Sequence, residues 1–204
     1  MPSTVVQKPH TSTVVVFRTT AEGESDVLIS GPRTRGSYHP NRPAIACAQV
    51  QLPPGRTHAV LGIPASDLVD RSIPLSDPEL LLSGPGSDPV VTAAMKVLTT
   101  TTARLPEAAS RAGVSERHLR TLFARDVGLS PKHFARISRL QRVLSLAGQD
   151  TWAAVADRAG YFDQPHMISD FRSLMGVSPA AYLSGRLPAA TPCLRSQGDI
   201  LSRQ

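Results

Sequence analysis

The residues best equipped for chemistry in this chain lie on a helical pattern that occurs twice. Ser115, Leu119, Phe123, Gly128, Ser130, Pro131 and Phe134 recur 48 residues later as Asp163, Met167, Phe171, Gly176, Ser178, Pro179 and Tyr182. Upstream, Ala109 and Gly113 match Ala156 and Gly160 at an interval one residue shorter. In the first copy Leu119, Leu122 and Phe123 take the inner face, which leaves Arg117, Arg120 and Thr121 near the outer one. A guanidinium holds its donors in a rigid fork that matches a phosphate or the edge of guanine. Two copies of one small helical unit read as a duplicated recognition device.

Charge follows the repeat. The chain has 204 residues and a formal net charge of +6. Residues 1–99 hold eight basic and eight acidic residues, whereas residues 100–190 hold twelve basic and seven acidic. Nearly all the excess is arginine, as expected for a polyanionic partner, although a solvated basic surface has the same composition. Cys47 and Cys193 are far apart and fit no metal or redox spacing, so no cofactor and no metal are expected. No apolar run approaches the length of a membrane span and no secretory pattern opens the chain, which leads us to expect a cytoplasmic location.

The repeats need elements to position them. Asp88 and Pro89 read as an N-cap and a first-turn proline, followed by an apolar face of Val91, Ala94, Met95 and Leu98. The threonines at 99–102 suit a connection. The first unit spans 105–127: a stripe of small residues, Gly113 for the sharp turn, then Ser115 as cap of the next helix. Ser130-Pro131 opens a long helix over 131–147, with Phe134, Ile137, Leu140 and Leu144 on one stripe and Arg136, Arg139 and Arg142 off it. The second unit spans 152–175, its turn Gly160-Tyr161-Phe162 one residue longer than the first and Asp163 its cap. Trp152 reads as core, and residues 187–204 read as a loose tail.

Residues 1–87 look different. They carry most of the 18 prolines and short β-branched runs. Residues 1–12 are expected to be poorly ordered; strands are expected at Thr13–Phe17, Asp26–Ser30, Ile45–Leu52 and His58–Ile63, and a helical turn at Asp67–Asp70. The region is short for a self-sufficient barrel, so the chain is expected to begin inside a larger domain. The fold class is thus α+β: a short β-rich N-terminal region followed by an all-α double helix-turn-helix domain over 88–186.

The stretch Ser115 to Pro131, with Ala109 and Gly113, and the stretch Gly160-Tyr161-Phe162-Asp163-Gln164-Pro165-His166, with Phe171, Gly176 and Pro179, resemble the C-terminal DNA-binding module of AraC/XylS-type transcription regulators. The resemblance implies seven helices, two helix-turn-helix units on one linker helix, and a reading helix of each unit in a major groove of double-stranded DNA. By position it implies base-facing residues Arg117, Arg120 and Thr121 in unit one, and Gln164, Pro165, His166 and Ser169 in unit two. In that reading Arg120 forks onto guanine and Gln164 pairs with adenine. Candidates for the phosphate backbone are Ser115, Arg125, Lys132 and Arg172. Thr121 and Ser169 depart from family usage, where a basic residue is frequent, and Pro165 has no donor, so unit two is also open to a backbone-gripping role. Residues 13–85 more faintly resemble the region ahead of this module in some relatives, which implies a small-molecule effector or a partner there; RNA polymerase is a further candidate partner.

Two other classes compete. Some DNA repair proteins join a similar module to a reactive cysteine, which would require a low-pKa thiolate; Cys47 lies among Ile45, Ala46 and Ala48. Alternatively, the chain is a partner-binding protein with secondary non-specific DNA binding. The favoured expectation is a non-enzymatic, sequence-specific regulator, with oligomeric state left open.

Overall fold

The computed structural model describes residues 4–19, 25–40, 47–75, 86–100 and 104–190. Two small antiparallel sheets come first. Strand β1 (Thr4–Gln7) pairs with β4 (Ser37–Pro40), while β5 (Cys47–Leu52), β2 (Thr13–Thr19), β3 (Ser25–Ser30) and β6 (Ser72–Pro74) form a four-stranded sheet in that order. Val15 lies opposite Ile29 on one neighbour and Val50 on the other. Alternation along β2 therefore turns Val15 onto Ile29, Leu52, Val60, Leu61 and Leu68, the core of this region. Helix α1 (Thr57–Leu61) and a 3₁₀ turn (Ala65–Leu68) cover that face.

Three expectations fail here. His58–Ile63 is not a strand: Thr57–Leu61 is helical, and the chain turns at Gly62 with φ 70°. Its five residues are too few for either period to show, and Thr57 is held by a buried hydroxyl pair with Thr13 at 2.7 Å. Residues 1–12 are not wholly irregular, because Thr4–Gln7 finds β4 some thirty residues away. The threonines do not begin a connection at 99: helix α2 (Pro89–Thr100) runs through them, and Thr99 turns its hydroxyl back onto the Met95 carbonyl at 2.9 Å. Thr101 and Thr102 lie outside the described residues, as do Ile45 and Cys193.

Seven helices follow the sheets among the described residues: α2, α3 (Leu105–Arg111), α4 (Glu116–Asp126), α5 (Pro131–Leu146), α6 (Trp152–Ala159), α7 (Gln164–Met175) and α8 (Pro179–Leu183). They enclose two cores. Val91, Leu98, Ala109, Leu119, Phe123 and Phe134 form the first, and Leu140, Val155, Met167, Phe171 and Leu174 the second. Helix α5 contributes to both, Phe134 and Ile137 at one end and Leu140 and Val143 at the other.

The sheet region is docked on both helical units. Against unit one, Val69 packs on the first core and Ala65 touches Gly128. Gly128 has φ 79°, and a Cβ there would fall 2.6 Å from the Ala65 carbonyl oxygen, so only glycine fits. Against unit two, Val6 packs on the second core, the Gly36 amide donates to the Leu174 carbonyl at 2.7 Å, and the Tyr38 hydroxyl donates to the Met175 carbonyl at 2.6 Å. These two donors satisfy carbonyls at the C-terminal end of α7 that have no partner within the helix.

Candidate nucleic-acid interface

Local chemistry starts both reading helices at defined residues. The Ser115 hydroxyl accepts the His118 amide and caps α4, and the Asp163 carboxylate accepts the His166 amide at 2.7 Å and caps α7. Ser130, Thr151 and Ser178 cap α5, α6 and α8 in the same way. Between their buried positions, the first two turns of α4 and α7 leave polar residues exposed.

On α4, Arg117, Arg120 and Thr121 are all exposed. Arg117 has no acidic partner among the described residues. Arg120 forms an i,i+4 pair with Glu116 at 2.9 Å, with both side chains in solvent. Such a pair is worth at most about 1 kcal/mol, so it preorganises the guanidinium without locking it. Thr121 spends its hydroxyl hydrogen on the Arg117 carbonyl at 3.2 Å, which leaves acceptor capacity and a methyl group outward. On α7, Pro165, His166 and Ser169 are exposed and Gln164 is half-buried. The His166 ring stands edge-on to Tyr161, centroids 5.3 Å apart, which fixes its direction.

The backbone candidates fall into two groups. Lys132 and Arg172 are exposed, and Ser115 is occupied as a cap. Arg125 is committed within the protein: Nε and Nη2 donate to the two Asp126 oxygens at 2.7 and 2.8 Å, and Nη2 also reaches Asp88 at 3.4 Å. The hydrogen bonds to Asp126 raise its pKa above the usual arginine value. An arginine in that setting must break a fork to meet a phosphate.

Sequence reasoning missed the residues that hold unit two in place. Asp170 on α7 is 7% exposed. It accepts from Arg136 Nε at 2.6 Å and from the Tyr161 hydroxyl at 3.1 Å, with Arg139 Nη2 at 4.0 Å. Arg136 Nη2 also donates to Ser173 Oγ at 3.1 Å, and the Arg139 guanidinium lies 5.1 Å from the centre of the Tyr161 ring. Burial, then the Asp170 charge, raises the Tyr161 pKa, so the phenol stays a donor. Arg136 and Arg139 thus tie the linker helix to the second reading helix. Their position off the apolar stripe of α5 was visible in the sequence; the carboxylate they meet, 34 residues from Arg136, was not.

Other singled-out residues have ordinary roles. Cys47 is exposed at the start of β5, His39 contacts Ser37, and His58 lies 3.8 Å from Asp126. Trp152 is half-buried against the second core. No helix among the described residues is long and apolar enough to cross a membrane.

A helix-turn-helix domain family matches residues 108–185. Among solved structures, the chain is similar to the C-terminal domain of AraT, a response regulator from Geobacillus stearothermophilus, with 24% identity, 50% of this chain and 89% of that one covered, and TM-score 0.45. It is similar to the DNA-binding domain of the global transcriptional factor AdpA, solved with a target DNA: 28% identity, 48% and 93% covered, TM-score 0.43. A transcriptional regulator from Chromobacterium violaceum, described as containing an AraC-type DNA-binding domain, shows 23% identity, 48% and 92% covered, TM-score 0.43. No curated protein matches the chain. Two capped helix-turn-helix units on a shared linker, within a segment that this domain family matches, define a DNA-binding domain.

Proposed function

We propose that α4 and α7 read two successive major-groove segments on one face of a duplex, with α5 setting their separation at about one helical turn, ~34 Å. The observation that carries this reading is the pair of capped helices with exposed polar faces, both seated on α5. Unit one supplies Arg117 and Arg120 for guanine edges, with Thr121 beside them. Unit two supplies Gln164, His166 and Ser169, a set suited to adenine and to water-mediated contact. Lys132 and Arg172, with the cap at Ser115, hold phosphates and set register. The work is recognition without a catalytic step, in the cytoplasm.

Partners beyond DNA follow from the docking of the sheet region. A small-molecule effector has a place in the open groove of about 690 Å³ between the sheets and α5, lined by Lys8, His10, Gln49, Gln51, Gln141 and Leu144. A ligand there touches the linker that spaces the two units. RNA polymerase contact would use surfaces away from α4 and α7.

Selection of duplexes from a random pool by the full chain, with affinity followed against salt, tests the reading. Two half-sites about one turn apart are expected. A single short motif would reduce unit two to a backbone clamp, and binding without any motif would reject sequence readout by both units.

A further inference from the structure

Phe162 is 93% exposed, the most exposed large apolar side chain among the described residues. The two turns explain why. In unit one the Val114 amide bonds the Ala109 carbonyl at 3.0 Å, and in unit two the Tyr161 amide bonds the Ala156 carbonyl at 2.9 Å. Gly113 and Gly160 precede them with φ 70° and 82°. Val114 and Tyr161 are therefore equivalent, and both pack onto their unit's core. Unit one goes straight on to its cap, Ser115, whereas unit two inserts Phe162 before its cap, Asp163. The extra residue is the phenyl ring in solvent. A residue just before an N-cap usually staples onto the fourth helical position. Here that position is Met167, which is fully buried without Phe162.

The solvated phenyl ring adds nothing to the core, which leaves it free to meet a partner. Phe162 precedes the N-terminus of α7, on the end of a reading helix that meets base edges in the major groove. Its neighbours on that end are exposed Pro165 and His166. A phenyl ring has no donor or acceptor, and the one apolar feature of a major-groove base edge is the 5-methyl group of thymine. The geometry points to Phe162 as a base-reading residue of unit two that selects thymine through that methyl. The assignment rests on the two-groove reading above. It gives unit two an apolar specificity element beside the polar Gln164, His166 and Ser169.

The test uses the full chain on a duplex selected as above, with each thymine of the second half-site replaced in turn by uracil, which removes the methyl and leaves every hydrogen-bonding group. At one thymine, uracil weakens the wild-type protein about fourfold, the value of one buried methyl. Phe162→Ala weakens binding to the thymine duplex by at least that factor and binds the thymine and uracil duplexes equally. Its thermal midpoint stays that of wild type, since the ring touches no core. Wild-type indifference to uracil throughout the half-site would overturn the assignment, as would a Phe162→Ala loss that is equal on both duplexes or absent. Those results leave two half-sites intact and the two-groove reading standing; failure to select a second half-site removes both.

Discussion

Each helix-turn-helix unit buries one carboxylate, and the two are answered from different places. Asp126, 3% exposed at the end of α4, is held by Arg125 beside it and faces His58 of the sheet region. Asp170, on α7, is held by Arg136 of the linker and by Tyr161 of its own turn. The carboxylate of unit one thus faces the N-terminal region, whose Ala65 and Val69 pack beside it, while that of unit two is tied to the linker helix. Duplication preserved the caps and the core stripe, which make a unit fold. It did not preserve the buried charge, which decides what the unit is fastened to. The sheet region nonetheless meets both units directly: unit one through His58, Ala65 and Val69, and α7 through Gly36 and Tyr38.

The strongest challenge to this contrast is Asp170→Ala. Removing one partner of a buried pair leaves Arg136 and the Tyr161 hydroxyl uncompensated, at a cost of ~3–5 kcal/mol. The denaturation midpoint should fall accordingly, and protection of the second half-site in a footprint should weaken before the first. Equal weakening of both would dissolve the distinction between the units.

Gly128→Ala attacks the other brace. The left-handed backbone and the approach to Ala65 together predict a loss of about 2 kcal/mol, concentrated in unit one and the sheet region. Hydrogen exchange should report faster opening in α4 than in α7; uniform loosening would count against a unit-specific brace. Arg120→Ala should then cost ~1–3 kcal/mol on the preferred duplex and relax one base preference in the first half-site. An equal loss on random DNA would leave Arg120 as charge alone.

The smallest effect is a pH dependence. Burial lowers the pKa of His133 from 6.5, and it faces Arg136, Asp70, Asp170 and the Thr34 carbonyl. A histidine depressed in the folded state favours the neutral ring, so its contribution is complete above the unfolded value and is lost as pH falls through the folded one. Stability should decline on acidification below pH 6.5, and His133→Gln should flatten part of that decline. His10 is shifted in the same direction by burial, so part of the slope should remain. A slope unchanged by the substitution would place the titrating group elsewhere.

Which features were legible in the sequence follows from how local their causes are. Ser115, Ser130, Thr151 and Asp163 cap helices through bonds three residues long, and each was readable in advance. The stripe of Leu119, Leu122 and Phe123 needs only helical period. Thr4–Gln7 was missed because its partner is distant, and Thr57–Leu61 because five residues show no period. The outward faces of α4 and α7 were legible for the same local reason as the caps. The commitment of Arg125 and the meeting of Arg136 with Asp170 are tertiary facts, and composition gives no sign of which arginine is spent within the fold.

The bond from Tyr38 to the Met175 carbonyl joins residues 137 positions apart. During synthesis the strand that carries Tyr38 leaves the ribosome long before its acceptor exists; at about 5–20 residues per second the delay between Tyr38 and Met175 is roughly 7–27 s. For that interval Tyr38 and the Gly36 amide have no α7 to close on. The last clasp between the sheets and the second reading helix is therefore a late event in the birth of the molecule, and a nascent chain that stalls before Met175 presents unit one already formed and unit two unlatched.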